Sequence, residues 1–263
     1  MKVRSPRSAP QRLRAMHDWL AEAYGPQHWW PADTAFEVVL GAYLTQNTSW
    51  KAVERSLANL RAANALSIDG IRALSLVRLQ KLIRPSGFYT RKAPAIRAFV
   101  AMLDAEFGGS LDRLAAMPSK VLRPRLLALP SVGYETADAI LLYAVGHTVP
   151  VADAYLRRIV ERHGLLTFSP ANHHATYTAL VQLTGNAFAE DPPAHRARLF
   201  NEFHALAVAV GKAHCSATPH CEGCPLAADL PLSSLAPGRT RRSGTETQNQ
   251  RNPMFMRLSS IDR

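Results

Sequence analysis

Apolar residues recur every three or four positions along most of this chain, and no run alternates apolar with polar side chains as a half-buried strand must. That pattern dictates an all-α protein. Leu13, Met16, Trp19, Leu20 and Tyr24 make the first helical stripe. A loop over 25–32 follows, in which Pro26 and Pro31 bracket Trp29 and Trp30. Thr34 and Glu37 have capping-box spacing and open a helix from Phe36 to Leu44 that is apolar on most sides, and so central. Further helices are expected at 49–63, 67–73, 76–84, 90–107, 110–116, 119–128, 134–146, 153–163, 171–185 and 195–212. The longest apolar runs, 137–145 and 205–210, fall far short of the roughly 20 residues of a membrane span, so a transmembrane protein is not expected.

Charge is concentrated at the ends. Residues 1–15 hold five basic side chains, Arg12 and Arg14 among them, and no acid, while 236–263 hold six arginines against Glu246 and Asp262. Between them 20 basic residues face 18 acidic ones, so the ends carry +9 of the net +11. Such ends suit a polyanion, and they equally suit solubilising tails. An Arg-rich, acid-free start is also the composition of a transit peptide. After Leu235 the chain turns to Gly, Arg, Ser, Thr, Gln and Asn, the composition of a flexible tail. The three cysteines, Cys215, Cys221 and Cys224, fall within ten residues, which points to a reducing compartment and a metal rather than a disulfide framework.

Four segments carry candidate chemistry. Leu129-Pro-Ser-Val-Gly-Tyr-Glu-Thr-Ala-Asp138 is a tight Pro/Gly turn between two apolar helices, able to aim the backbone N–H groups of Val132, Gly133 and Tyr134 at a phosphate. Asp153 opens a helix twenty residues beyond Gly133, where an aspartate on its own is an N-cap. Cys215, Cys221 and Cys224 suit an iron–sulfur centre or zinc. Gln46 stands in a polar break at the end of the central helix, where its amide can cap carbonyls. Arg91, Lys92 and Arg97 share one helix and could hold phosphates.

In their order, over about residues 34–230, these segments resemble endonuclease III-like helix-hairpin-helix DNA glycosylases. The resemblance implies two helical domains with a cleft between them. One is a helical barrel over 36–149 containing the hairpin; the other is built from 12–35 plus 150–235 and carries the cysteine loop, with 1–11 and 236–263 as basic flexible tails. It also implies that duplex DNA with a damaged base is gripped by the hairpin backbone and Lys92, that Gln46 fills the gap left by an extruded nucleotide, and that Asp153 serves the departing base or the attacking water. A [4Fe-4S] cluster is implied on the three cysteines; Leu230 stands where the family has a fourth cysteine and the first gap is one residue short, which leaves Asp229 or a solvent molecule as the fourth ligand, ahead of His214 or His220.

Two departures bear on mechanism. Ser131 stands where family members have Gly. Glu135 occupies the position of the lysine that forms a Schiff base in bifunctional members, and a carboxylate cannot form an imine. The expectation is therefore a monofunctional glycosylase using Asp153 and Glu135 on an alkylated purine such as 3-methyladenine, or on an oxidised pyrimidine. It is expected to act as a monomer at the nucleoid in the cytoplasm. Two other readings stay open: a DNA-binding relative with little or no catalysis, and a residual lyase in which Lys92 or another amine substitutes for the missing lysine.

Overall fold

The computed structural model describes residues 7–169 and 171–230; the first six residues and the basic tail 236–263 lie outside them. Its named elements are all helical, and among the described residues the only strand-like pairing is one bridge between Cys215 and Pro219. The protein is all-α. No helix among them is long and apolar enough to cross a membrane.

Helix α1 (Ala9–Tyr24) starts ahead of its apolar stripe because Ser8 caps it. The Ser8 hydroxyl accepts from the Gln11 N–H at 3.4 Å, and the Gln11 side chain accepts from the Ser8 N–H at 2.9 Å, a reciprocal cap. The helix ends at Gly25, whose φ of +66° suits glycine. Two of the N-terminal charges turn inward. Arg12 grips Asp229 at 3.0 and 2.6 Å, and Arg14 pairs with Asp191, so these two arginines stabilise the fold rather than wait for a polyanion.

Helices α2 (Ala35–Leu44), α3 (Trp50–Ala62), α4 (Ile68–Ala73), α5 (Leu76–Leu82), α6 (Tyr89–Phe107), α7 (Leu111–Ala115), α8 (Ser119–Leu127) and α9 (Tyr134–Ala139) share one core. Helix α2 runs through it, burying Phe36, Val39, Leu40, Tyr43 and Leu44 against residues such as Phe99 and Leu103 of α6. Each such side chain contributes roughly 1.5–3 kcal/mol by leaving water. The Thr34 hydroxyl accepts from the Glu37 N–H at 3.2 Å, as its spacing implies. The Glu37 carboxylate instead reaches the Asp33 N–H, one residue beyond the cap, and Arg61 at 2.8 Å.

A second core joins α1 to α10 (Ala154–Arg162), α11 (His173–Ala187) and α12 (Pro193–Ala213), through Leu13, Met16, Leu156, Ile159, Leu180 and Phe203 among others. Gly211 lets α12 approach α10, since a Cβ there would lie 2.3 Å from the Tyr155 ring. Helix α9 and its continuation stand between the cores: Ala137, Ile140 and Leu141 serve the first, Ala139 and Leu142 the second. The sequence predicts one helix over 134–146. Instead, the α-helix gives way at Ile140–Ala144 to a wider π-turn, in which the Val145 N–H reaches the Ile140 carbonyl at 3.2 Å. Tyr143 lies in that turn, a common place for functional side chains.

Candidate active site

The hairpin between α8 and α9 places its conformational demand at an unexpected residue. Ser131 has φ +60°, the left-handed region that favours glycine, whereas Gly133 has an ordinary φ of −94°. A Cβ on Gly133 would meet nothing within 4 Å. The fold does not need glycine at 133, and its bare backbone leaves the surface open to close approach. The Val132 N–H bonds within the turn to the Leu129 carbonyl at 3.3 Å, and the Val132 side chain is buried. Val132 therefore donates to the turn rather than to a ligand, while α9 begins without a side-chain cap. The Tyr134 ring also faces inward, against His174 at 5.1 Å, Tyr177 at 5.4 Å and the Arg123 guanidinium, so only its backbone remains for the role expected of it. Arg123 in turn holds the buried Asp138 at 2.6 and 2.9 Å, and the Tyr177 hydroxyl donates to the same carboxylate at 2.7 Å.

Two further expectations are revised by packing. Lys92 is 2% exposed; its ammonium donates to the carbonyls of Leu44 and Ser86, each at 2.8 Å, and loss of solvent lowers its pKa to about 8. It ties the end of α2 to the turn before α6 and is not available to a phosphate or a sugar. Arg91 and Arg97 are exposed on the other side of α6. Gln46 donates its amide to the Ser131 carbonyl at 2.8 Å and to the Thr136 hydroxyl at 3.0 Å, so it braces the hairpin. Near it in the fold, and missed in the sequence, is Phe88. This residue precedes α6, is 52% exposed and has φ +47°. It is the aromatic one among the exposed large apolar side chains of the described residues.

Asp153 is buried at the start of α10. Its Oδ1 accepts from the Leu156 N–H at 2.8 Å, which is the N-cap reading realised. Its Oδ2 lies 3.7 Å from Nε2 of His204, a buried histidine of α12 whose Nδ1 is 2.6 Å from the Tyr143 hydroxyl. Glu135, in the first turn of α9, has its pKa pushed up to about 8, by burial first and then by the charge of Asp153. The Tyr143 hydroxyl is likewise pushed well above its usual value, by burial and then by Asp153 and Glu202.

Beside these polar groups the aromatic rings converge. Trp30 packs on Tyr143 at 5.3 Å, on Trp50 at 5.6 Å and on Trp29 at 5.7 Å, and Trp29 meets His204 at 6.5 Å. Gly41 of α2 admits the Trp30 indole, which a Cβ would approach to 3.0 Å. The Nε1 atoms of Trp29 and Trp30 and Nε2 of His204 are buried without hydrogen-bond partners among the described residues. The adjacent tryptophans in a proline-bracketed loop were the one signal for this wall in the sequence. His204 had none.

The cysteine loop folds against α10 and α12. Cys215, Cys221, Cys224 and His214 line one cavity with Ile159, Leu226 and Leu230. Arg162 donates to the Cys215 sulfur at 3.0 Å, and Nδ1 of His214 lies 3.0 Å from the His220 carbonyl. Asp229 is not in this cavity: its carboxylate is held by Arg12 and lies 3.1 Å from Nδ1 of His163. The expected fourth ligand is therefore occupied elsewhere. Among the described residues no three His, Cys, Asp or Glu converge on a single ion. Thiols spread around one largely apolar cavity fit a multi-iron cluster, whose ligands sit on separate irons, better than a lone zinc.

Comparison with known proteins gives the family and the fold. Residues 40–183 match the family model described as HhH-GPD superfamily base excision DNA repair protein. A Methanocaldococcus jannaschii protein named as a DNA repair glycosylase is 36% identical over 208 residues, which span 79% of this chain and 90% of that one. The crystal structure of Helicobacter pylori 3-methyladenine DNA glycosylase bound to 1,N6-ethenoadenine is similar with a TM-score of 0.67 and 28% identity, covering 79% of this chain and 98% of that one. A non-covalent endonuclease III–DNA complex has the same fold, with a TM-score of 0.67 at 21% identity over 86% of this chain and 97% of that one.

Proposed function

The chain belongs to the HhH-GPD superfamily of base excision DNA repair proteins, and within it we propose a monofunctional DNA glycosylase that removes an alkylated purine by hydrolysis. The observation that carries this reading is the aromatic wall of Trp29, Trp30, Trp50 and Tyr143 beside the buried Asp153. A base alkylated on a ring nitrogen is cationic, and indole faces attract a cation more strongly than they attract a neutral base. Such a base is also a good leaving group. Breaking its N-glycosidic bond leaves positive charge on the sugar, which a carboxylate beside it stabilises.

In this reading duplex DNA is held by the open backbone of the hairpin at Gly133 and Tyr134, and Phe88 wedges into the stack where the nucleotide is extruded. Gln46 keeps the hairpin in register with α2. Asp153, ionised, faces the sugar. Glu135, neutral around pH 7 because of its raised pKa, adds no second negative charge and offers a proton to bases that leave poorly. The lyase alternative through Lys92 has lost its basis, since that amine is enclosed by two carbonyls. A purely DNA-binding role would give Asp153 only its N-cap and leave the tryptophan wall beside it without a ligand.

The cofactor proposed is a [4Fe-4S] cluster on Cys215, Cys221 and Cys224, in a cavity that His163 and His214 also line. Its contribution there is to fix the C-terminal loop, assisted by the Arg162 hydrogen bond to Cys215.

A panel of duplexes tests the function. Each carries one lesion (3-methyladenine, 1,N6-ethenoadenine or an oxidised pyrimidine), and base release is scored separately from strand cleavage. The expected result is release of the alkylated purine with the strand left intact. Strand cleavage with a borohydride-trapped adduct, or release only of oxidised pyrimidines, would overturn the reading.

A further inference from the structure

Resting on the reading that Asp153 carries the reaction, we propose that His204 is its positioning residue: fixed at Nδ1 by Tyr143, it presents Nε2–H to the second oxygen of Asp153 and keeps that carboxylate aimed and ionised. The Tyr143 hydroxyl lies 2.6 Å from Nδ1, a contact open to two tautomers. The one in which the O–H donates leaves the ring proton on Nε2, on the side of a carboxylate. That nitrogen is buried and has no hydrogen-bond partner among the described residues, and an N–H in that state is costly unless an acceptor is at hand. The acceptor facing it is Oδ2 of Asp153, 3.7 Å away. Hydrogen bonds at such sites are often long before substrate arrives and tighten in the complex.

Asp153 is thus held on one oxygen and faced on the other. The Leu156 N–H at the start of α10 holds Oδ1, and His204 from α12 stands opposite Oδ2. The ring itself is fixed by Trp29 at 6.5 Å and Tyr143 at 5.8 Å. The charged and titratable groups around the carboxylate are Glu135 from α9, Tyr143 from the π-turn and His204 from α12, while Glu202 of α12 acts on Tyr143. A helix N-terminus and a ring N–H both favour the charged form of a carboxylate. Removing the donor must therefore make Asp153 easier to protonate, which a merely packed histidine would not do.

The test uses the full chain with His204→Phe, His204→Gln and Tyr143→Phe, each checked for folding by thermal melting. Base release is measured across pH, alongside carbon-13 carboxylate NMR titration of Asp153 and nitrogen-15 NMR of the His204 ring. In His204→Phe, kcat should fall about 10- to 100-fold with little change in KM. The acid limb of the rate profile and the Asp153 titration should both move upward. His204→Gln, whose amide can still donate, should recover part of the loss, and Tyr143→Phe should shift the limb less in the same direction. An unmoved Asp153 titration in folded His204→Phe, or a wild-type ring protonated at Nδ1 alone, would overturn the proposal. Absence of base release by the wild type would overturn the glycosylase reading instead, while the two NMR measurements would still decide the role of His204.

Discussion

The side-chain amide of Gln46 donates to the carbonyl of Ser131 at 2.8 Å, tying the end of α2 to the one hairpin residue in a left-handed conformation. Ser131 holds φ +60° at a cost of roughly 1 kcal/mol relative to glycine. Two residues on, Gly133 needs no such freedom and has open space where a side chain would be.

Opposite effects are expected from substitutions at these two sites. Ser131→Gly should raise stability by up to about 1 kcal/mol, since relief of strain outweighs the added freedom of the unfolded chain. Gly133→Ala should leave stability within about 0.5 kcal/mol yet weaken duplex binding, because the new methyl stands where backbone must approach phosphate. Thermal melting and fluorescence anisotropy on one preparation separate the two. Equal DNA affinity for Gly133→Ala would remove the hairpin backbone from the DNA contact.

Local patterns made much of this molecule legible. Helices follow from three- and four-residue periodicity, and the hairpin, Asp153 and the cysteines announce themselves by short-range spacing. What stayed hidden depends on partners distant in the chain. Lys92 looks like a surface cation among Arg91 and Arg97 until α2 packs beside it. Asp229 looks like a free carboxylate beside the cysteines until Arg12, 217 residues earlier, reaches it. Likewise, nothing near His204 in sequence identifies it as the neighbour of Asp153, because α10 and α12 meet only in the folded chain.

Lys92 makes its own test through pH. Burial lowers its folded-state pKa from 10.5 to about 8, so the unfolded chain binds more protons between those values and stability should rise as pH increases through that window. Lys92→Met should abolish that rise and destabilise the protein by about 1–3 kcal/mol, since the Leu44 and Ser86 carbonyls lose their donor. Its DNA affinity, measured on folded protein, should match the wild type, while Arg97→Ala should weaken binding and reduce its salt dependence.

Glu135 should divide substrates by charge. With its carboxyl neutral below about pH 8, it can give a proton to a neutral leaving base, which a cationic base does not require. Glu135→Gln should therefore lower release of 1,N6-ethenoadenine far more than release of 3-methyladenine. In the wild type, activity on the neutral base should fall as pH rises through about 8, whereas activity on the cationic base should not. Equal losses on both substrates would remove Glu135 from proton donation.

Protein purified without air should be brown and hold about four irons per chain. Cys221→Ala should abolish the colour, and Asp229→Ala should keep it while loosening α1 from the C-terminal turn, as the loss of the Arg12 pair requires. One zinc, or no metal in stably folded anaerobic protein, would contradict the cluster.

The most direct measurement is base release from a duplex containing 3-methyladenine by wild type and Asp153→Asn under single-turnover conditions. Asparagine caps a helix as well as aspartate does, so α10 and overall stability should survive the exchange, whereas Asp153→Ala would cost about 1 kcal/mol. The account predicts excision reduced about 10²-fold or more, with duplex affinity unchanged or higher. Excision by the asparagine variant at the wild-type rate would contradict it.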